Sequence, residues 1–294
     1  MQHPKGSHVS QDPSIDGQEL ASYRAHVGRR MEEKDSVSPE VVSRFAAALD
    51  QDWPGEGAEL PPMWHYGLFL NQVPTARLGP DGHPPRGDFM PPVRLPRRMF
   101  AGARVDFRTP LVAGLEATKV SEVASVDHRQ GKSGDLVFVR VKASVLQRDR
   151  LCLEEEQTIV YRGDGPRTLA VTPRPIPPAP SMGSVENWTP GSVELFRFSA
   201  AMFNAHRIHY DLPYVTEVEG YPGLVVHGPL TALRLCALAV RVLGPLKGFQ
   251  FRGEAPLFAG QPVRLIAAEP SGTECHLVAE RCDGAEAMTA TAVA

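Results

Sequence analysis

A proline-rich segment divides this chain of 294 residues into two parts, each long enough to form its own core. Residues 172–180 contain five prolines. Proline lacks a backbone N–H and has a fixed φ, so it is excluded from helix interiors and central strands. The segment predicts an extended linker over residues 164–183, between a first half at 17–163 and a second half at 184–294. Residues 1–16 predict a disordered tail.

The first half has the pattern of one helix followed by antiparallel strands. Ser38 and Pro39 are suited to the N-cap and first position of an amphipathic helix. Val137, Val139 and Val141 alternate with larger or charged residues, which is typical of a half-buried strand. The strand-like runs are 104–108, 115–127, 136–147 and 151–161.

The second half repeats this order. Residues 193–198 predict a strand, and residues 229–243 predict a helix that is apolar almost all round and ends at Gly244-Pro245. Four further runs predict strands: 249–254, 262–268, 274–281 and 285–293. A helix followed by antiparallel strands, occurring twice, predicts an α+β fold in which each half wraps a curved sheet around a central helix.

Composition excludes several classes of partner. The net charge is −3, so nothing indicates binding to nucleic acid or to an acidic membrane surface. The N-terminus lacks the features of a secretory signal, and no apolar run is long enough to span a bilayer. The four cysteines form no CxxC pair and predict free, mostly buried thiols. We therefore expect a cytoplasmic protein.

Polar groups of catalytic type are concentrated at residues 204–211 and are followed by a glycine at 228. His209 is the strongest candidate for a base, because nothing in its surroundings requires an imidazole for packing and its ordinary pKa is close to neutral. Asn204 is either a functional amide or a turn residue. Gly228 either offers its N–H to a substrate oxygen or only permits a tight turn.

Other residues near this segment each have a functional and a structural interpretation. His206 either supports the site or is structural, and its spacing from His209 also allows a metal site that includes Asp211. Arg207 either binds a substrate carboxylate or forms a surface salt bridge. His227 is an orienting or core histidine. Arg94, Arg97 and Arg98 either meet phosphates of coenzyme A or form a solvated basic turn.

Residues 198–211 and 222–230 resemble the hydratase motif of the MaoC-like, R-specific enoyl-CoA hydratase family, and His209, Asp211, His227 and Gly228 match it. Residues 61–66, 78–83 and 95–102 resemble the degenerate first repeat of the subgroup that hydrates mesaconyl-C4-CoA and itaconyl-CoA. The resemblance covers nearly everything after the tail and implies a double hot-dog fold. It departs at Asn204, which stands where the family has its catalytic aspartate, and at His206-Arg207, which replace Asn-Pro.

The resemblance implies a hydro-lyase that works without a cofactor or metal on a CoA thioester. Gly228 would polarise the thioester, Asn204 and His209 would hold the water, and His209 would move the proton. Arg207, His206 and His227 are the expected substrate-binding residues. The expected substrate is itaconyl-CoA or mesaconyl-C4-CoA, which both give citramalyl-CoA. The first half is expected to be catalytically silent, and a homodimer is expected.

Three alternatives stay open at this point. The first is a general (R)-3-hydroxyacyl-thioester dehydratase of fatty-acid metabolism, because the depth of an acyl tunnel cannot be deduced from sequence. The second is a hot-dog acyl-CoA thioesterase, which would attack the thioester carbonyl itself. The third is a non-catalytic acyl-binding protein, which would not need His209.

Overall fold

A computed structural model describes residues 14–131, 134–164, 168–175 and 183–294. Most of the predicted tail (1–13) and parts of the predicted linker (165–167 and 176–182) lie outside the described residues. The helices are α1 (Gly17–Arg24), α2 (Pro39–Ala48), α3 (Ser192–Ala201), α4 (Leu212–Glu217) and α5 (Gly228–Leu243). The strands are β1 (Arg30–Ser36), β2 (Arg97–Phe107), β3 (Glu116–Gly131), β4 (Gly134–Gln147), β5 (Arg150–Arg162), β6 (Ser184–Trp188), β7 (Gly248–Gly253), β8 (Val263–Ala267), β9 (Glu274–Arg281) and β10 (Glu286–Val293).

The ten described strands form one antiparallel sheet that contains the same arrangement twice. Their order is β1-β3-β4-β5-β2-β7-β10-β9-β8-β6. From its outer edge to the middle, the first half has the order β1-β3-β4-β5-β2. From the opposite edge to the middle, the second half has the order β6-β8-β9-β10-β7, which is the same order with five added to each number. The halves meet where β2 pairs with β7. This double hot-dog arrangement confirms the predicted fold class.

Helix α5 is the central helix of the second half. It packs against β8, β9 and β10, and Leu230, Leu235 and Leu238 are almost fully buried. The helix begins at Gly228 and its C-cap is Gly244, with a φ of 83° that suits glycine. The prediction of a buried apolar helix over 229–243 is confirmed.

Helix α2 follows β1 in the first half and packs against α3 of the second half. The Ser38 side chain accepts a hydrogen bond from the Val41 N–H, which confirms the predicted N-cap. The Phe45 ring contacts Trp64 edge-on at a centroid distance of 5.8 Å and Phe198 at 6.1 Å. Because Phe198 belongs to the second half, the two halves share one apolar core.

The strand predicted at residues 193–198 is wrong, because this segment belongs to α3. Its valine and phenylalanines favour a strand when considered alone. The buried residues are Leu195, Phe198 and Ser199, which is the i, i+3, i+4 spacing of one helix face. Val193 and Phe196 are largely exposed. Packing on the core side therefore outweighs the strand preference of these residues.

Two edge strands were not expected from the sequence. β1 pairs with β3 and consists mainly of charged residues, so it lacks the alternation of apolar residues by which strands are recognised. β6 pairs with β8 at the opposite edge of the sheet. Within the described ranges, no helix is long and apolar enough to cross a membrane. The four cysteines are free and buried, as predicted.

A turn of the first half is fixed against the second half at residues 79–83. The Arg207 N–H donates to the carbonyl of Asp81 at 2.9 Å, and the Arg207 side chain donates to the carbonyl of Pro80 at 3.0 Å. Gly82 has a φ of 87°, and a Cβ placed there would overlap the carbonyl oxygen of Ala205. The close approach of these two backbone segments therefore requires glycine.

We expect Gly82→Ala to destabilise the protein more than Gly57→Ala. Both positions have a positive φ, which costs a residue with a Cβ about 1–2 kcal/mol. Only Gly82 adds overlap with another backbone segment, since a Cβ at Gly57 meets nothing within 4 Å. Urea unfolding of the two variants measures the difference. Equal losses of stability would contradict the close contact between the halves.

Candidate active site

A cavity of about 730 Å³ lies at the junction of the two halves. Its wall is formed by residues from both halves, which the sheet brings together where β2 pairs with β7. The polar and aromatic side chains of this wall include Tyr66, His83, Arg98, Phe100, Gln157, Arg162, Asn204, His206 and His209. Its volume is in the range typical of small-molecule sites.

His209 is a neutral imidazole at the cavity wall. It is 7% exposed, and its Nδ1 is 2.7 Å from the carbonyl oxygen of Val225. Because a carbonyl only accepts hydrogen bonds, Nδ1 carries the proton and Nε2 keeps a free lone pair. Burial lowers the pKa of His209 to about 4, against the opposing effect of the Val225 carbonyl. At pH 7 the ring is therefore neutral and can accept a proton at Nε2.

His227 supports His209 from behind and does not line the cavity. The two rings stack with centroids 3.6 Å apart and an interplanar angle of 20°. His227 Nε2 is 2.8 Å from the Ser199 hydroxyl, and the side chain is almost fully buried. Burial lowers its pKa well below the ordinary value. This geometry is that of an orienting residue for His209.

Asn204 reaches the cavity and also forms a local turn. Its Oδ1 accepts a hydrogen bond of 3.0 Å from the His206 N–H, and the preceding residue, Phe203, has a φ of 47°. The amide oxygen is therefore already used, which leaves the Nδ2 group to donate. An amide of this kind can orient a water but cannot exchange a proton at neutral pH.

Gly228 places the first turn of α5 at the cavity wall. The first N–H groups of a helix have no acceptor within the helix, and the helix dipole adds positive potential there. Gly228 does not have a positive φ, and a Cβ would meet only Phe100, at 3.9–4.0 Å. Neither backbone strain nor packing within the protein therefore demands glycine here. A hydrogen in place of a side chain leaves the N–H open to a ligand oxygen.

A cluster of two histidines and a carboxylate adjoins His209. The His83 ring lies 4.0 Å from the His206 ring, and the His206 ring lies 5.3 Å from the His209 ring. His83 Nδ1 is 2.8 Å from Asp81 Oδ2. Burial lowers the pKa of His206 to about 2, and the neighbouring imidazoles add to this shift. His83, His206 and His209 all line the cavity.

The group of potential metal ligands found among the described residues differs from the set that the sequence indicated. Ligand atoms of Asp81, His83 and His206 lie within 4.8 Å of one another. His209 and Asp211 do not belong to this group, and Asp211 pairs with Arg207. The Asp81 carboxylate is already hydrogen-bonded to His83, and the His83 ring lies against that of His206. We therefore interpret the group as a hydrogen-bonded pair, Asp81 and His83, against which the His206 ring packs.

Arg207 lies outside the wall of the cavity. Its Nε and Nη2 donate to Asp211 Oδ2 at 2.9 and 2.7 Å. Its guanidinium lies over the Tyr214 ring at 4.0 Å, and Nη1 donates to Pro80. Asp211 in turn caps α4 by accepting a hydrogen bond from Tyr214 N–H. The guanidinium is occupied by the protein itself, which favours the salt-bridge reading of this residue.

Arg98, and not Arg207, is the arginine of these two that lines the cavity. Of the three arginines at 94–98, Arg94 pairs with Glu19, and Arg97 pairs with Asp164 and Glu219. Arg98 lines the cavity, and within the described ranges no carboxylate lies within ion-pair distance of it. Phe100, two residues further along β2, adjoins Gly228. A cation without a carboxylate partner among the described residues and a helix N-terminus therefore face one cavity.

The first half supplies cavity residues that sequence reasoning did not assign. The Tyr66 hydroxyl donates to the buried Glu155 at 2.6 Å, and burial raises the pKa of Tyr66 well above its ordinary value. His83 and Tyr66 both lie in segments singled out as similar to the first repeat of a hydratase subgroup. The similarity of these segments therefore marked them in the sequence, but nothing in the sequence showed that their side chains reach the second half.

Comparisons with known proteins agree with this fold. The chain is 44% identical over 274 residues, 92% of its length, to the mesaconyl-C(4)-CoA hydratase of Chloroflexus aurantiacus, of which 97% is covered. The solved structure of HtdX from Mycobacterium tuberculosis has a TM-score of 0.64 at 16% identity, with 90% of this chain and 99% of that one covered. A second Mycobacterium tuberculosis protein, described as a double hot dog, has a TM-score of 0.57 at 13% identity, with 91% and 96% covered. The family model for hydroxyacyl-thioester dehydratase type 2 matches residues 63–259, and this chain belongs to that family.

Proposed function

We propose that the protein adds water across the C=C bond of a short, branched dicarboxylic enoyl-CoA. The proposed substrate is mesaconyl-C4-CoA or itaconyl-CoA, and the product of either is citramalyl-CoA. The similarity to a mesaconyl-C(4)-CoA hydratase over almost the whole chain supports this substrate class. The observation that carries the proposal is the neutral His209, with a free lone pair, in the same cavity as the start of α5.

The Gly228 N–H is the proposed donor to the thioester oxygen. During hydration of mesaconyl-C4-CoA, whose C=C bond is conjugated with the thioester, this oxygen gains negative charge as the C=C electrons move toward an enolate. A donor aimed at such an oxygen typically contributes about 2.7–4 kcal/mol to transition-state stabilisation. The α5 dipole acts in the same direction because its positive end is at Gly228.

His209 and Asn204 are the proposed water-binding residues. Asn204 donates from Nδ2 to the water oxygen, and His209 Nε2 accepts one of its protons as the oxygen bonds to Cβ. His227 holds the His209 ring by stacking, and the Val225 carbonyl sets its tautomer. His206 adjoins both Asn204 and His209 and completes the wall.

Arg98 is the proposed partner of the free carboxylate of the substrate. Two residues of a strand span about 6.6 Å, which separates Arg98 from the position of Phe100 beside Gly228. A guanidinium suits a carboxylate because it offers two parallel N–H donors.

The test of this function compares three CoA esters on the purified, EDTA-treated protein. Absorbance and mass spectrometry would follow mesaconyl-C4-CoA, itaconyl-CoA and crotonyl-CoA. A gain of one water on a dicarboxylic ester, with little on crotonyl-CoA, is the expected result. Activity on crotonyl-CoA alone would identify a general acyl-thioester dehydratase, and release of free CoA without hydration would identify a thioesterase.

We expect Arg98→Gln to lower kcat/KM for the dicarboxylic ester by about 10- to 100-fold, since a hydrogen bond to a charged group contributes about 1.5–3 kcal/mol. Activity on crotonyl-CoA, which has no second carboxylate, should change much less. Arg207→Gln is the matched control, and we expect it to leave the ratio of the two activities unchanged. A selective loss in the Arg207 variant instead would assign the carboxylate to that residue.

We expect His209→Gln to lose about 10²–10⁴-fold in kcat, the usual contribution of acid–base catalysis. In the wild type, the base works in its neutral form, so kcat/KM should fall as the pH drops through about 4, the pKa of His209. An unperturbed histidine would give this fall near pH 6.5. Near-normal turnover of the variant, measured with folding confirmed by circular dichroism, would refute the assignment.

A further inference from the structure

In the proposed mechanism the second half contributes one acid–base side chain, His209, to a reaction with two proton transfers. The carboxylate that this half places at the cavity wall, Glu254, pairs with Arg252. Hydration removes one proton from water and adds one to Cα. Asn204 cannot exchange a proton at neutral pH, and His209 has only the Nε2 lone pair free because Nδ1 is bonded to Val225. Of the three histidines at the cavity wall, only His83 bonds a carboxylate among the described residues.

His83 is held in place by Asp81 and by the contact between the halves. The Asp81 carboxylate accepts from the His83 backbone N–H at 3.0 Å and from the His83 ring at 2.8 Å. The turn is closed by a hydrogen bond from Gly79 N–H to the His83 carbonyl, and Arg207 N–H binds the Asp81 carbonyl. Asp81 thereby sets the tautomer of His83, with Nδ1 protonated and Nε2 left for the substrate.

We propose that His83, oriented by the Asp81 carboxylate, is a second acid–base residue of the reaction and donates the proton that Cα receives. This inference rests on the proposed hydratase function. It gives the first half, expected from the sequence to be silent, a catalytic residue of its own. It also explains how the site works with Asn204 in place of an acidic residue, because Asp81 supplies the missing carboxylate from the other half.

The step balances in atoms and charge. The water oxygen bonds to Cβ while one O–H bond breaks and its proton moves to His209 Nε2. The C=C electron pair moves into the thioester enolate, and Cα then takes the proton from Nε2 of the His83 imidazolium. A net proton transfer from His209 to His83, through solvent or the His206 ring between them, restores the site.

The charges around His83 link its protonation to the substrate. Burial lowers the pKa of His83, the bonded Asp81 raises it, and Arg98 and Arg86 lower it again. His206 lies against the ring and is neutral at pH 7. A substrate carboxylate bound to Arg98 removes one of the opposing positive charges. The imidazolium therefore forms more readily when the dicarboxylic substrate is bound.

The first experiment measures hydration of mesaconyl-C4-CoA by His83→Gln, Asp81→Asn and His128→Gln. We expect a loss of about 10²–10⁴-fold in kcat for His83→Gln. For Asp81→Asn we expect a smaller loss, with the fall of kcat at high pH moved to lower pH, because His83 loses the carboxylate that favours its protonation. His128, which bonds Asp135 at 2.8 Å, is a matched control, and we expect no change there. Thermal unfolding checks the fold of each variant.

The second experiment isolates the Cα proton with succinyl-CoA, which has no double bond and no hydroxyl to lose. In D₂O, the wild type and His209→Gln should introduce deuterium at Cα, detected by mass spectrometry, and His83→Gln should not. Hydration at the wild-type rate by His83→Gln, or exchange that is lost only in His209→Gln, would overturn the proposal. Activity lost in EDTA and restored by Zn²⁺ would also overturn it, in favour of a metal centre.

The experiments distinguish failure of the proposed hydratase function from failure of the proposed role of His83. If the wild type hydrates none of the three enoyl-CoA esters but exchanges the Cα proton of succinyl-CoA through His83, the function is wrong and the acid–base pair stands. If the wild type hydrates mesaconyl-C4-CoA and all His83 and Asp81 variants do so equally well, the function stands and the pair is refuted.

Discussion

The site depends on the backbone pairing of β2 with β7, which joins two repeats into one sheet. Residues Gly102 to Asp106 pair antiparallel with Arg252 to Gly248. Phe100 and Arg98 lie just beyond this paired region, on the part of β2 that faces the start of α5. The junction therefore forms a cavity whose wall belongs to neither half alone. A repeat that has no hydratase motif of its own still contributes to the site because the sheet carries it there.

Burial explains how a cluster of histidines can coexist at this junction. Charged imidazoles in contact would repel each other and would lose hydration, so burial lowers the pKa of His206, His209 and His227. Neutral rings can stack and bond to carbonyls or hydroxyls, as His209 and His227 do. Asp81 is the exception in the cluster. Burial by itself would raise the pKa of its carboxyl, but the hydrogen bonds from His83 outweigh this effect and keep it ionised.

Arg207 illustrates the limit of arguments from neighbours in sequence. Its place beside the proposed base suggested a substrate carboxylate as its partner. In the structure, Asp211, four residues later, pairs with it, and the Pro80 carbonyl, 127 positions earlier, accepts from the same guanidinium. Arg98, which the sequence could not separate from Arg94 and Arg97, lines the cavity, whereas the other two have carboxylate partners.

Local chemistry in the sequence determined the elements whose signals act over a few residues. Ser38-Pro39 specified a helix start, Gly244-Pro245 a helix end, and the alternation at Val137 to Val141 a half-buried strand, because capping, φ restriction and pleating act between near neighbours. Only the tertiary structure decided that 193–198 is helical, since the face to be buried depends on the partner. Only it brought His83 to His206, because membership of a cavity is set by contacts between residues far apart in the chain.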